Sequence, residues 1–186
     1  MNVEELITKV KSKDVNVRAD GWQNAHTVGP EAIKPLAKVL AEGELEVSRA
    51  AKRALWKIVY HVGRPGAQAE KAAALPEYYG LLGDDQPASV RREVIWMVSE
   101  LCDGCPSVAK LASLLSNAEL REDARMALDH IPGEKSLAAL TAALAAAPED
   151  FKPNLAQSLR HRGVEVPGIP CKKLVPTKQT GVKAQA

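Results

Sequence analysis

An apolar residue followed by a basic one returns along this chain. It is seen as Val17-Arg18, Val47-Ser48-Arg49, Val90-Arg91, Leu120-Arg121 and, in weaker form, Phe151-Lys152. Take the apolar member as position zero. Three of the four spacings between these anchors agree within one residue, and the other, between Val47 and Val90, is longer by about 13. That marks an internal repeat with one insertion. Small or apolar residues then recur at fixed offsets. Position +4 holds Gly21, Ala51, Val94, Ala124 and Leu155, and position +8 holds Ala25, Leu55, Val98, Leu128 and Leu159. Position +11 holds Val28, Ile58, Leu101 and Ile131, with Arg162 as the exception. Steps of four, four and three residues trace one stripe of an α-helix, so each anchor predicts an amphipathic helix of about four turns.

Other helical patterns alternate with these. Leu6, Ile7 and Val10 form the first, Ile33, Leu36, Val39 and Leu40 the second, and Leu75, Tyr78 and Leu82 the third. Val108, Leu111, Leu114 and Leu115 follow, then Leu137, Leu140 and Leu144. Gly29-Pro30, Gly104 to Pro106 and Pro132-Gly133 punctuate the pattern as helix stops and starts. Asp14, Asp85, Asn117 and Asp150 precede the anchored helices, where a cap is wanted. No alternation of strand type appears. The expectation is five helix–turn–helix units. A single helix pair cannot bury its whole apolar side, so successive pairs must stack into an α-solenoid.

The stretch from Asp14 to Leu40 resembles the bacterial HEAT-like repeats of the phycobilisome-lyase type. The resemblance rests on Asp14, Val17, Arg18, Ala25, Gly29, Pro35 and Leu36 in the first copy. Val47, Arg49 (one position late), Ala51, Ala54 and Leu55 carry it in the second copy, and Asp85, Val90 and Arg91 in the third. The fourth copy matches through Leu120, Arg121, Ala124, Ala127 and Leu128, and the fifth is degenerate. The likeness covers residues 1–166 and implies an all-α fold of about five HEAT-like pairs in a right-handed superhelix. It implies little about function, because such repeats serve unrelated roles. It also implies an inter-repeat polar ladder: Asp14 with Arg18, and Arg91 and Arg121 with Asp85 or Asn117. There, rigid guanidinium forks would meet a neighbour's carboxylate or carbonyls.

At about 100° per residue, positions +2, +6 and +9 fall opposite the core stripe, on the side that lines the concave surface in HEAT-type stacks. Arg49, Arg53 and Trp56 sit there in the second unit, and Arg92 and Trp96 in the third. Two tryptophans misplaced for a core, with arginines beside them, are the residue types that anchor protein interfaces. Arg49, Arg53, Trp56, Arg92 and Trp96 are therefore the candidate partner-binding residues, unless the longer third unit folds over the rings. Trp22, at +5, is expected to pack on the neighbouring unit. The insertion, near residues 60–80, is either a binding element or a longer helix with a loop, and Pro76 should kink or begin a helix.

Composition changes this picture little. Hydrophobic residues make up 46%, charged residues 26% and aromatics 4%, as for a soluble, helix-leaning chain. Lys plus Arg against Asp plus Glu is 11 to 8 over residues 1–64, 6 to 11 over 65–132 and 8 to 4 over 133–186. That distribution, with a net charge of +2, weighs against nucleic acid as the partner. Three cysteines suggest no disulfide framework. Cys102 and Cys105 form a Cys-x-x-Cys with no second half to complete a zinc site, and the four histidines are scattered. Neither a metal nor another cofactor is expected. No secretory signal and no apolar run of about 18 residues is present, so a cytoplasmic protein is the default. Residues 167–186 contain prolines and a basic excess (Lys172, Lys173, Lys178, Lys183), and should be extended or disordered, docking on a partner or inert.

The functional expectation is a non-enzymatic module or scaffold that grips a protein partner. Two alternatives follow from the resemblance: an accessory subunit of a bilin lyase, or a DNA-binding base-excision protein that uses Trp and a carboxylate. Asp129 is the aspartate placed for the latter.

Overall fold

A computed structural model of the protein describes residues 1–102 and 104–171, except for the side chain of Cys105. Ten α-helices form among the described residues, and no strand. They are α1 (Val3–Val10), α2 (Val15–Gln23), α3 (Ile33–Glu42), α4 (Leu45–Val62) and α5 (Gln68–Gly80), followed by α6 (Ala88–Glu100), α7 (Cys105–Ser113), α8 (Arg121–His130), α9 (Glu134–Ala146) and α10 (Lys152–His161). The five even-numbered helices are those the anchors predict. Of these, α2, α8 and α10 run for only nine or ten residues, short of four turns.

Each odd helix packs on the even helix that follows it, giving five pairs. The even helices form one row, α2 on α4, α4 on α6, α6 on α8 and α8 on α10. The odd helices form the second row, α1 on α3, α3 on α5 and α7 on α9. Two parallel rows stacked in chain order make an all-α, solenoid-like fold. Its core runs continuously between the rows, through Leu6, Ile33, Leu36, Leu55, Ile58, Val94, Val98, Leu111, Leu128, Leu140 and Leu155. No helix among the described residues is long and apolar enough to cross a membrane.

Local signals explain most boundaries. The Asp14 carboxylate accepts hydrogen bonds from the Asn16 and Val17 amides, at 2.7 and 3.2 Å, and so caps α2. Asn117 does similar work before α8, accepting from the Glu119 and Leu120 amides at 3.0 and 3.1 Å. Asp85 and Asp150 do not cap: Asp85 accepts from the Gln86 side-chain amide, and Asp150 pairs with Arg121. At +4 of the first unit the α1 backbone lies directly on Gly21, where an added Cβ would stand 2.8 Å from Lys9 Cβ. The anchor positions themselves are not uniformly core. Val90, Leu120 and Phe151 are buried, but Val47 is half-buried and Val17 is 41% exposed.

The long interval between the second and third anchors resolves into three parts. Helix α4 runs 18 residues, and a turn over 63–67 leads into α5. A second turn, over 81–87, leads into α6. Pro76 lies inside α5 with its ring exposed, and the helix continues through it. Tyr78 pins α5 to α4: it is wholly buried, and its hydroxyl donates to the Leu55 carbonyl at 3.1 Å. Burial pushes the Tyr78 phenol far above its ordinary pKa. Tyr79 reaches the other way, its hydroxyl 2.8 Å from Ser107 Oγ at the start of α7.

The last unit departs from the apolar rule at +11, and the structure shows how. Arg162 directs its guanidinium into the α8–α9 turn, donating to the Ile131 carbonyl at 2.9 Å, the Gly133 carbonyl at 2.9 Å and Ser136 Oγ at 3.2 Å. A fork of donors thus replaces an apolar contact where several turn carbonyls converge. Beyond α10, Val164 and Val166 still pack on the core, and Arg160 donates to the carbonyls of Val166 and Ile169. The expected tail therefore begins tied down. Residues 172–186, with the four lysines of the tail, lie outside the described part.

Candidate functional site: the open face of the even helices

The even row turns one side to the odd row and leaves the other open. At about 100° per residue, +2, +6 and +13 from each anchor fall on one stripe, opposite the core stripe. Exposure follows that rule at Gln23, Arg49, Arg53, Tyr60, Arg92, Met126 and Gln157, whereas Ala19, Glu122 and Pro153 at +2 are half-buried. Trp96, at +6 of α6, is half-buried. Position +9 sits nearer the edge, so Trp56 is half-buried and leans on the core.

On α4 the rings of Trp56 and Tyr60 pair at a centroid distance of 5.5 Å and an angle of 30°. Tyr60 remains 65% exposed. Arg53 lies over the Trp22 ring, 5.6 Å from its centroid, which joins the first and second units. Trp22 thus packs across the unit boundary, as its +5 position predicts. Arg49 pairs with Glu46, one turn earlier, at 2.7 Å. Tyr60 is the residue that the offsets +2, +6 and +9 miss. Carrying the same helical step on to +13 brings it to the face, and α4 is long enough to hold it there.

Arg92 is placed differently from the other candidates. Its guanidinium is drawn to the fourth unit, 3.4 Å from Asp123 and 3.7 Å from Glu119. It belongs to a ladder of polar contacts between successive even helices. Lys52 of α4 meets Glu93 of α6 at 2.5 Å. Between α8 and α10, Asn154 donates to Glu122 at 3.0 Å, Ser158 to Asp129 at 3.1 Å, and His161 Nδ1 lies 3.0 Å from Asp129. The rungs run from +2, +5 and +9 of one helix to +3, +7 and +10 of the next, because those stripes face each other across the seam.

The residues expected to form the ladder are spent otherwise, with one exception. Asp14 is a cap, and Arg18 donates to the Ser12 carbonyl at 2.7 Å, not to Asp14. Arg91 is buried and pairs with Asp84 at 2.8 Å, within its own unit, while Asp85 turns to Gln86. Arg121 does bridge units: it meets Asp150 and covers the Phe151 ring at 4.7 Å. The repeat marks the cation at +1 but not its partner, because the loop before each even helix decides which carboxylate it reaches.

Charges at the ladder are tuned by these neighbours. Burial pushes the Glu122 carboxyl up, but hydrogen bonds from Arg125 and Asn154 outweigh it and hold the group below its ordinary value. At the outer end of α4, the His26 and His61 rings lie 4.9 Å apart, and His61 Nε2 is 3.1 Å from Glu70. Burial, the Arg64 guanidinium and the His26 ring hold the His61 imidazole below its ordinary pKa, against the pull of Glu70. Arg64 grips Glu70 through both Nη atoms at 2.7 Å. Among the described residues, no group of three His, Cys, Asp or Glu side chains is arranged to hold a metal ion. Cys102 is half-buried, and its partner in the Cys-x-x-Cys has no described side chain.

The open face therefore offers rings and cations, a surface suited to stacking and ion pairing. A separate apolar cavity of about 520 Å³ lies between α7, α9 and α10, against Leu115, Ala139, Ala143, Phe151 and Leu155. No family model matches the chain, and no curated protein matches it. Among solved structures, the crystal structure of an engineered protein aligns over 86% of this chain and 78% of its own, with 21% identity and a TM-score of 0.43.

Proposed function

We propose that this chain is a non-enzymatic, HEAT-like interaction module of the cytoplasm that holds a protein partner on the open face of its even helices. In this reading the stack curves into a right-handed superhelix with that face inside. The observation that carries it is the Trp56–Tyr60 pair, with Tyr60 65% exposed, on the face to which the helical offsets also assign Arg53 and Trp96. Nothing in the fold requires a large ring to stand in water at +13, and exposed aromatics next to arginine are what interface cores use. Asp129, the carboxylate that base excision would use, is engaged by Ser158 and His161, which favours the module.

The test is co-purification from cells that produce the protein. A single stoichiometric protein should accompany the parent chain and be lost from the Trp56→Ala/Trp96→Ala double variant. Full retention by a folded double variant refutes the assignment of the face.

A further inference from the structure

We infer that the partner segment received by α4 is acidic, with an aromatic or aliphatic anchor that lies on the Trp56–Tyr60 pair. This inference rests on the interaction-module reading and specifies its chemistry.

The first observation is the length of α4. Helices α6, α8 and α10 stop at about +10 from their anchors, whereas α4 continues through Val62. The added turn and a half places Tyr60 on the same face as Arg49 and Arg53, and closes the stripe with a ring. The second observation is where positive charge remains available. Along the even row, Lys52 is taken by Glu93, Arg92 by Asp123, Arg121 by Asp150 and Arg125 by Glu122. On α4, Arg49, Arg53 and Lys57 are all exposed. Arg53 faces the Trp22 ring, and neither Arg53 nor Lys57 is paired with a carboxylate among the described residues. The single acid within α4, Glu46, serves Arg49.

Two cations free of carboxylates, Arg53 and Lys57, the Arg49–Glu46 pair and two rings therefore line one helix from Arg49 to Tyr60, a length of about 16 Å. That matches about five residues of an extended peptide, at about 3.3 Å each. Carboxylates anchor to the cations, and an apolar side chain covers the exposed ring. The surroundings fix the class of ligand. Glu93, Glu119, Glu122 and Asp123 lie on or beside the next two helices of the row. They neutralise the cations of those helices, which confines the cationic zone to α4 and leaves no run of positive charge for a nucleic-acid backbone with one charge per about 1.7 Å. A short acidic segment fits this zone, whereas a long polyanion does not.

Fluorescence anisotropy of labelled probes tests the inference on the full chain. The probes are a peptide of about a dozen residues, rich in Glu and Asp with one central Phe, its Lys-rich counterpart, and a single-stranded oligothymidine of equal charge. The acidic peptide should bind at least about tenfold tighter than the other two, and weaken as salt rises. Tyr60→Ala should cost it about fivefold or more. Lys57→Glu and Arg53→Glu/Lys57→Glu, at unchanged melting temperature, should abolish the preference. Lys57→Glu leaves the Arg53–Trp22 contact intact, so it isolates charge from packing. Equal binding of the two peptides, tighter binding of the oligonucleotide, or an unaffected charge variant overturns the inference. A co-purifying partner lost with Trp56→Ala/Trp96→Ala but kept by Arg53→Glu/Lys57→Glu overturns the acidic chemistry and leaves the module standing. Retention by both variants overturns both.

Discussion

Tyr78 holds the third unit to the second, and its substitution separates two contributions. In Tyr78→Phe the ring stays and only the hydroxyl is lost. The Leu55 carbonyl that accepts from it at 3.1 Å lies within α4, whose helical ladder still satisfies that oxygen. The loss is then one neutral hydrogen bond, about 1 kcal/mol. In Tyr78→Ala a wholly buried ring disappears. The change leaves a void between α5 and α4 and costs about 3–5 kcal/mol. For a chain of this length about 1 kcal/mol moves the melting temperature by about 2–4 °C. Urea unfolding followed by circular dichroism measures both losses. Variants that retain one tryptophan each report on the two sides of the seam, since Trp22 and Trp56 lie before it and Trp96 after it. Tyr78→Ala should split the transitions, because a stack held by nearest-neighbour contacts loses cooperativity where one interface fails. A loss of less than about 2 kcal/mol in Tyr78→Ala, well under the cost of deleting a buried ring, or equal losses in the two variants, would refute the claim that this ring pins α5 to α4.

Four further outcomes are expected. Arg162→Ala should destabilise the last unit by about 2 kcal/mol, and Arg162→Lys should recover little, because one ammonium cannot span the carbonyls of Ile131 and Gly133; hydrogen exchange of α10 reads the effect. Arg92→Ala should cost less than about 1 kcal/mol in a melting experiment, since its ion pairs with Asp123 and Glu119 are half-exposed. For His61, the folded pKa lies below the unfolded value, so the unfolded chain binds more protons between the two. Its contribution is complete above the ordinary histidine pKa of about 6.5 and is lost as pH falls from there, so His61→Gln should flatten the stability profile just below that pKa. Gly21→Leu should destabilise the first pair, because even a Cβ meets Lys9 Cβ at 2.8 Å; thermal unfolding checks this.

Much of the architecture is legible along the chain. The +4, +8 and +11 offsets lie within one turn-to-turn stripe, so helix type and core side follow from neighbours in sequence alone. Val94, Val98 and Leu101 are buried as that stripe requires, and Ala124, Leu128 and Ile131 likewise. The open face is legible through the same angles, but its composition less completely. Tyr60 escapes the offsets because its exposure depends on α4 outlasting its companions, which no residue within the helix announces. Arg92 looks like an anchor for a partner, yet Asp123 of the next unit reaches it first.

The all-α class, the five pairs and the side of each even helix that meets the core can all be read along the chain, because a 3.6-residue period acts over only a few residues. Tertiary structure alone decided which carboxylate each arginine meets. Asp84 takes Arg91 and Asp150 takes Arg121, and Arg162 fills an apolar position because turn carbonyls converge there. Such pairings depend on how loops set one helix against the next. A distance of a few ångströms between units separates a ladder rung from a free cation, and helical periodicity carries no information about it.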